Sequence, residues 1–400
     1  MPSILKKDTL ILFSLWLLVF SASCQVMIIT PLLPQIQEEL NTSLELLGNL
    51  VTVYAVMLGI SAILMGPYSD KIGRRKILLL GSGSMAIFLV LHQFADSFVS
   101  FLSLRALAGA SGGILSGAAV AYVGDYFPYE KRGWANGWIM SGIAVGQILG
   151  IPLGTFLAEQ MGFGFPFIVF GILMAFTFGM VFLHVPQPVV EVDDGKISLA
   201  STFHKYIDLL KKPDIRAVTL TYVFMFLGLT VFIVYLPTWL EQTFSISLTM
   251  IGYMFAAGGV ANAIAGPRAG RLSDQIGRKR MIIVSCIAFS ILMISTTYVV
   301  VEFWIAYILF PIAMILVAMR MSPLQALSTE LVSASKRGSL MSMLVAIGNM
   351  GAGLGGAIAG PLYIRFGYLS NTIVAGLMMF AMALVVWKLI PEPELIAHKK

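Results

Sequence analysis

Twelve stretches of about 20 apolar residues, separated by short polar loops, leave this chain little choice of architecture. They are read near 10–30, 46–66, 77–95, 99–122, 134–157, 164–184, 216–238, 249–267, 281–300, 303–322, 338–361 and 370–390. A helix needs roughly 20 residues to cross about 30 Å of hydrocarbon, and it satisfies its own backbone hydrogen bonds on the way. Hydrophobic residues make up 58% of the 400 and charged residues 12%, whereas soluble domains carry about 25% charged residues. The expected fold class is therefore an all-α membrane protein with lipid as its solvent.

A net charge of +6 raises the question of a nucleic-acid partner, but the charges are sorted by loop. With a cytoplasmic N-terminus, one side collects Lys6, Lys7, Lys71, Arg74, Arg75, Lys76, Lys131, Arg132, the basic group at 196–216, Arg268, Arg271, Arg278, Lys279, Arg280, Arg320, Lys336, Arg337, Lys388, Lys399 and Lys400. The other side holds Arg365 with Glu38, Glu39, Glu45, Asp96, Glu159, Glu241 and Glu302. This is the positive-inside bias, which sets both termini in the cytoplasm. The partner it implies is the bilayer, and the short loops point to a bacterial inner membrane. The opening MPSILKKDTLILFSLWLLVFSASC mimics a secretory leader, yet its apolar run continues past Cys24. It is read as an uncleaved first helix. Cys24 and Cys286 fall inside the membrane and His92, His184, His204 and His398 are scattered, so no disulfide framework, metal site or cofactor is expected.

The chain is also a repeat. Asp70, Gly73 and Arg74 match Asp274, Gly277 and Arg278, Gly48 matches Gly252, and Pro34 matches Pro237. KRG at 131–133 matches KRG at 336–338; Asp125 faces Glu330, Gly146 faces Gly351 and Gly150 faces Gly355. The offset stays between 203 and 205 throughout. The one long polar connection, residues 185–215, divides a six-helix bundle at 1–184 from a second at 216–400, with KISLASTFHKYIDLLKK as a helix along the membrane surface. Internal repeats with a site between the halves are the pattern of secondary transporters.

GPYSDKIGRRKI at 66–77 and GRLSDQIGRKRM at 270–281 carry Gly, Asp, Gly, Arg and a further basic residue at one spacing. In these two motifs, and along essentially its whole length, the chain resembles the major facilitator superfamily. The resemblance implies two pseudo-symmetric six-helix bundles around a central cavity. It implies that Asp70, Arg74 and Asp125 form a charge network locking the cytoplasmic gate, with Asp274, Arg278 and Glu330 as a looser second copy. From the residues alone, Gly73 and Gly277 permit a positive-φ turn. Asp70 can pair with an arginine or cap a neighbouring helix. The plainer alternative is that these are surface charges that fix topology, worth about 0–1 kcal/mol each.

Arg105 reads as the only basic residue well inside a helix. Burying it costs about 2.5–3.5 kcal/mol on insertion scales, so it should face a cavity or a partner, unless it snorkels to the outer surface. It matches an arginine that proton-coupled members of the family use near the transport path. Helix 5 places Gly142, Gly146, Gly150 and Gly154 four apart with Pro152 among them, a smooth face for close packing with a kink. The ladder resembles the family's antiporter motif and favours export, although Ile151 between Gly150 and Pro152 fits sugar or nucleoside exporters as well. Gln25, Asn49, Tyr54, Asn136, Gln147, Tyr222, Tyr235, Asn262 and Asn349 are the other polar residues at cavity depth. Each either meets substrate or bonds a neighbouring helix. No carboxylate is expected inside the membrane, so neutral, amphipathic or anionic substrates suit Arg105 better than cationic ones.

GASGG at 109–113 satisfies the G-x-S-x-G pattern, which raises an intramembrane serine protease. Ser111 lies mid-helix, however, where a nucleophile elbow cannot form. The chain has no phosphate-binding G-x-x-x-x-G-K-[ST] loop to harness ATP. The reading is a monomeric, non-enzymatic secondary transporter for efflux of small amphipathic molecules or drugs, coupled to protons by rocker-switch alternating access. A proton-linked sugar or nucleoside exporter and a lipid transporter are the alternatives.

Overall fold

The computed structural model describes residues 2–188, 199–333 and 336–391. Among them, 12 helices are long and apolar enough to cross a membrane. Spans 1 to 6 are Asp8–Met27, Leu44–Met65, Arg74–Phe94, Phe98–Tyr126, Glu130–Met161 and Phe165–His184. Spans 7 to 12 are Pro213–Phe244, Leu248–Ile276, Arg278–Val299, Phe303–Glu330, Arg337–Phe366 and Tyr368–Leu389. Several run past the hydrocarbon-length windows of the sequence. Span 10, expected to stop at 322, continues to Glu330. A helix ends where its backbone bonding ends, not where the apolar side chains do.

The repeat in the sequence becomes a repeat in packing. In the first half, span 1 lies against spans 5 and 6, span 2 against span 4, and span 3 against spans 4 and 6. In the second, span 7 lies against 11 and 12, span 8 against 10, and span 9 against 10 and 12. The turns that close spans 2 and 8 are alike too: Gly73 has φ 99° and Gly277 φ 97°. Only glycine adopts that conformation without strain, so a helix can stop there and another start on the next residue. The glycine ladder of span 5 packs on span 1: Gly142 on Trp16 and Phe20, Gly146 on Ser23, Gly150 on Cys24 and Gly154 on Ile28. Pro152 cannot donate a backbone bond, and a π turn over Gly146–Gly150 absorbs the irregularity.

Within the linker, Leu199–Leu210 is helical, as expected, and lies against spans 2, 7 and 11. Linker residues 189–198 lie outside the described residues. Among the described residues, the two halves meet chiefly through two pairs of spans, 2 with 11 and 5 with 8. By the repeat offset these pairs are equivalent to one another. We call the end of the bundle that carries Arg74 and Arg278 the basic face.

Candidate transport site and gates

The seam between halves is closed at the face opposite the basic one. A Cβ at Gly48 of span 2 would sit on the carbonyl oxygen of Gly356 in span 11, and one at Gly360 on the carbonyl oxygen of Glu45. Backbones approach this closely only where side chains are missing. Thr52 Oγ1 donates to Gly353 O across the seam at 2.7 Å. Tyr235, at the far end of span 7, accepts from Gly48 N at 3.1 Å and donates to Leu44 O at 2.7 Å. In the second pair, Gly252 of span 8 abuts Pro152 and Thr155 of span 5. Thr249 donates its N–H (3.0 Å) and its hydroxyl (2.5 Å) to Glu159 Oε2. Close packing reaches inward to Gly59 against Ala346 and Gly259 against Ile148 and Gln147. Toward the basic face it stops: Cβ positions at Gly133, Gly137, Gly266, Gly270 and Gly338 have nothing within 4 Å. The halves are together at one face and apart at the other.

Inside the first half, Arg105 does not snorkel. It is 1% exposed, its Nη1 donates to Gln25 Oε1 at 3.2 Å, and its guanidinium lies 4.4 Å over the Tyr54 ring. Gln25 Nε2 donates on to Tyr54 Oη at 2.8 Å. Spans 1, 2 and 4 are thus tied by one cation, one amide and one phenol. Gly109 and Gly113 let span 4 close on span 2, where a Cβ at either would strike the backbone of Tyr54 or Leu58.

Arg320, expected among the cytoplasmic loop charges, lies within a membrane-spanning helix instead, so Arg105 is not the only basic residue well inside one. Because span 10 continues to Glu330, Arg320 is inside it, about 15 Å of helical rise from that end. It is 0% exposed, with its guanidinium 4.4 Å over the Phe289 ring of span 9. None of its three side-chain nitrogens meets a hydrogen-bond acceptor among the described residues.

At the basic face each half carries its own ion-pair network. Arg74 Nε donates to Asp125 Oδ2 at 2.6 Å and Nη1 to Ser69 Oγ at 2.7 Å. Arg278 pairs with Asp274 at 3.0 Å and with Glu330. The side chain of Asp70 lies outside the described residues. The second copy is the more open: Asp274 and Glu330 are 60% and 40% exposed, Asp125 22%. The ion pairs Arg74–Asp125 and Arg278–Glu330 tie span 3 to span 4 and span 9 to span 10.

The remaining sequence candidates scatter. Asn49 and Asn262 are half-buried on spans 2 and 8. Gln147 lies at the 5–8 seam, and Asn349 beside Gly59 at the 2–11 seam, with its Nδ2 on Val345 O at 2.9 Å. Tyr222 is buried in the second half, stacked with Phe226. Tyr235 belongs to the closed seam rather than to an open cavity. Ser111, the protease candidate, shares a hydrogen bond with Ser84 Oγ at 2.8 Å and donates to Leu107 O, as a helix-packing serine does. Cys24 and Cys286 are both buried free thiols.

A duplicated six-span bundle, closed between its halves at one face only, defines the class of membrane carriers that work from a central site. The family profile described as Major Facilitator Superfamily matches residues 15–218 and again 218–400. The chain belongs to that family, and it is not an enzyme. It is 27% identical to an uncharacterized MFS-type transporter, YwfA of Bacillus subtilis (strain 168), over 88% of this chain and 84% of that one. It is 29% identical to the multidrug resistance protein MdtG of Yersinia enterocolitica, over 71% and 69%. Among solved structures it resembles a D-xylose-proton symporter (TM-score 0.79, 19% identity, 98% and 99% covered). It also resembles a bacterial homolog of the lysosomal transporter Spinster in an inward-facing, unoccupied conformation (TM-score 0.73, 17% identity, 95% of each chain).

Proposed function

We propose that this transporter exports small amphipathic molecules by proton exchange, with its two halves rocking about the central site. The observation that carries the reading is the asymmetric seam, closed at spans 2–11 and 5–8 on one face and empty at the glycines of the other. With the basic face in the cytoplasm, as the positive-inside bias sets it, this is the inward-open state in which an exporter loads. Export also agrees with the glycine ladder of span 5 seated on span 1, and with multidrug relatives such as MdtG. In this reading Arg74–Asp125 and Arg278–Glu330 brace each half at the gate. Asp125 is the least exposed of the described gate acids. Arg105, Gln25 and Tyr54, buried between spans 1, 2 and 4, hold the first half together as it moves.

The test is transport in proteoliposomes against a panel of amphipathic drugs, sugars and nucleosides, with and without an imposed pH gradient. Gradient-driven movement of the amphipathic compounds is expected. Rates indifferent to the gradient remove proton coupling, and movement of sugars alone replaces drug export with sugar exchange.

A further inference from the structure

The described buried residues include two guanidinium groups and no carboxylate. The two arginines differ in how their donors are used. Arg105 has an amide acceptor and a tyrosine face. Arg320 has only the face of Phe289, and all three of its nitrogens are buried without an acceptor. A charge withdrawn from water must be paired or hydrogen-bonded to persist, and Arg320 carries five N–H donors in a fork that fits a planar anion. Cys286 of span 9, near enough to feel the charge of Arg320, makes no hydrogen bond to it.

Further along the same side of span 10 toward the closed face, Ala313 borders a narrow, partly open apolar crevice with a cavity volume of about 20 Å³. Phe232, Trp239, Leu292 and Phe310 also line it. The Phe232 ring stands edge-on to Phe289, centroids 6.2 Å apart, so one ring pair separates the crevice from the guanidinium.

We propose that Arg320 is the binding arm for an anionic head group, a carboxylate or sulfonate, on an amphipathic molecule whose apolar part enters this crevice when the Phe232–Phe289 pair turns aside. The proposal rests on the export reading and deepens it, naming amphipathic anions as the substrate class. A lipid head group offers the same chemistry, and the experiment separates the two sources.

The protein in zwitterionic nanodiscs is dialysed to equilibrium, with no pH gradient, against radiolabelled 2-naphthylacetate, 2-naphthaleneethanol or 2-naphthylethylamine. The acid should bind at least about tenfold tighter than the amine, the expectation for one charge-assisted pair. Arg320→Gln should remove that preference and Arg320→Lys should keep part of it. Equal affinity for acid and amine in the unsubstituted protein overturns the proposal without recourse to a variant. So does an Arg320→Gln protein that retains the preference. Adding phosphatidylglycerol to the nanodiscs identifies the source: competition that disappears in Arg320→Gln marks a lipid head group, and its absence marks a free anion. Because binding is read without a gradient, acid binding with no transport refutes the export reading alone.

Discussion

A single methyl group placed at Gly48 should tilt the whole molecule. The Cβ of Gly48→Ala would fall well inside 3.0 Å of the Gly356 carbonyl oxygen, which is backbone and cannot rotate away. Forcing a methyl into a filled contact costs about 1–3 kcal/mol. That cost exists only while spans 2 and 11 are together, so it should raise the population of the opposite conformation about 5- to 150-fold. Spin labels at Met161 and Phe366, both exposed at the closed face and in opposite halves, report the change as a longer distance by electron–electron resonance. The labels are read in a Cys24→Ser, Cys286→Ser background. Gly179→Ala is the control, because nothing lies within 4 Å of its Cβ and it sits on span 6, away from the seam. Distance distributions that are the same for Gly48→Ala, Gly179→Ala and the parent would refute the claim that backbone contact holds this face shut.

Four further outcomes follow from the same geometry. Thr52→Val removes the 2.7 Å bond to Gly353 O and should shift the label distances in the same direction by about 1 kcal/mol. Arg74→Gln should slow transport more than Arg278→Gln, because Asp125 is only 22% exposed while Asp274 is 60% exposed and better able to recruit water. Gly73→Ala forces a side chain into φ 99° and should destabilise the folded protein by about 1–3 kcal/mol, read as a lower melting temperature in detergent. Ser111→Ala should leave transport unchanged, since its hydroxyl serves only Ser84 and its own helix.

The spans were legible because twenty apolar residues in a row have one cheap environment, and the halves because duplicated glycines and charges kept their register. Arg105 was legible for the same reason as Arg320 was not. The first interrupts a clearly apolar run, whereas the second falls two residues short of the predicted end of helix 10 at 322. Only the extension of that helix to Glu330 carries it inside. Gln25 stands out in the sequence as a polar residue at cavity depth, but its pairing with Arg105 depends on spans 1 and 4 meeting, which no local pattern records. The role of Tyr235 was hidden more deeply. Its bonds to Leu44 and Gly48 join residues nearly 190 positions apart and exist only while one face is closed. Glu159 and Thr249 were likewise hidden, the acid reading as an ordinary loop charge.

The glycines with empty surroundings have a use in the exchange proposed above. Gly133 and Gly338 are counterparts under the repeat. With Gly270 they stand at the basic ends of spans 5, 11 and 8, whose other ends are now pressed together. A rocking bundle needs a smooth mating surface at both ends, used alternately, and the idle one is already cut. Alanine at Gly133 or Gly270 would therefore be silent in the present state and felt only in the other, biasing the cycle opposite to Gly48→Ala. The sequence holds the imprint of a contact that this conformation does not make.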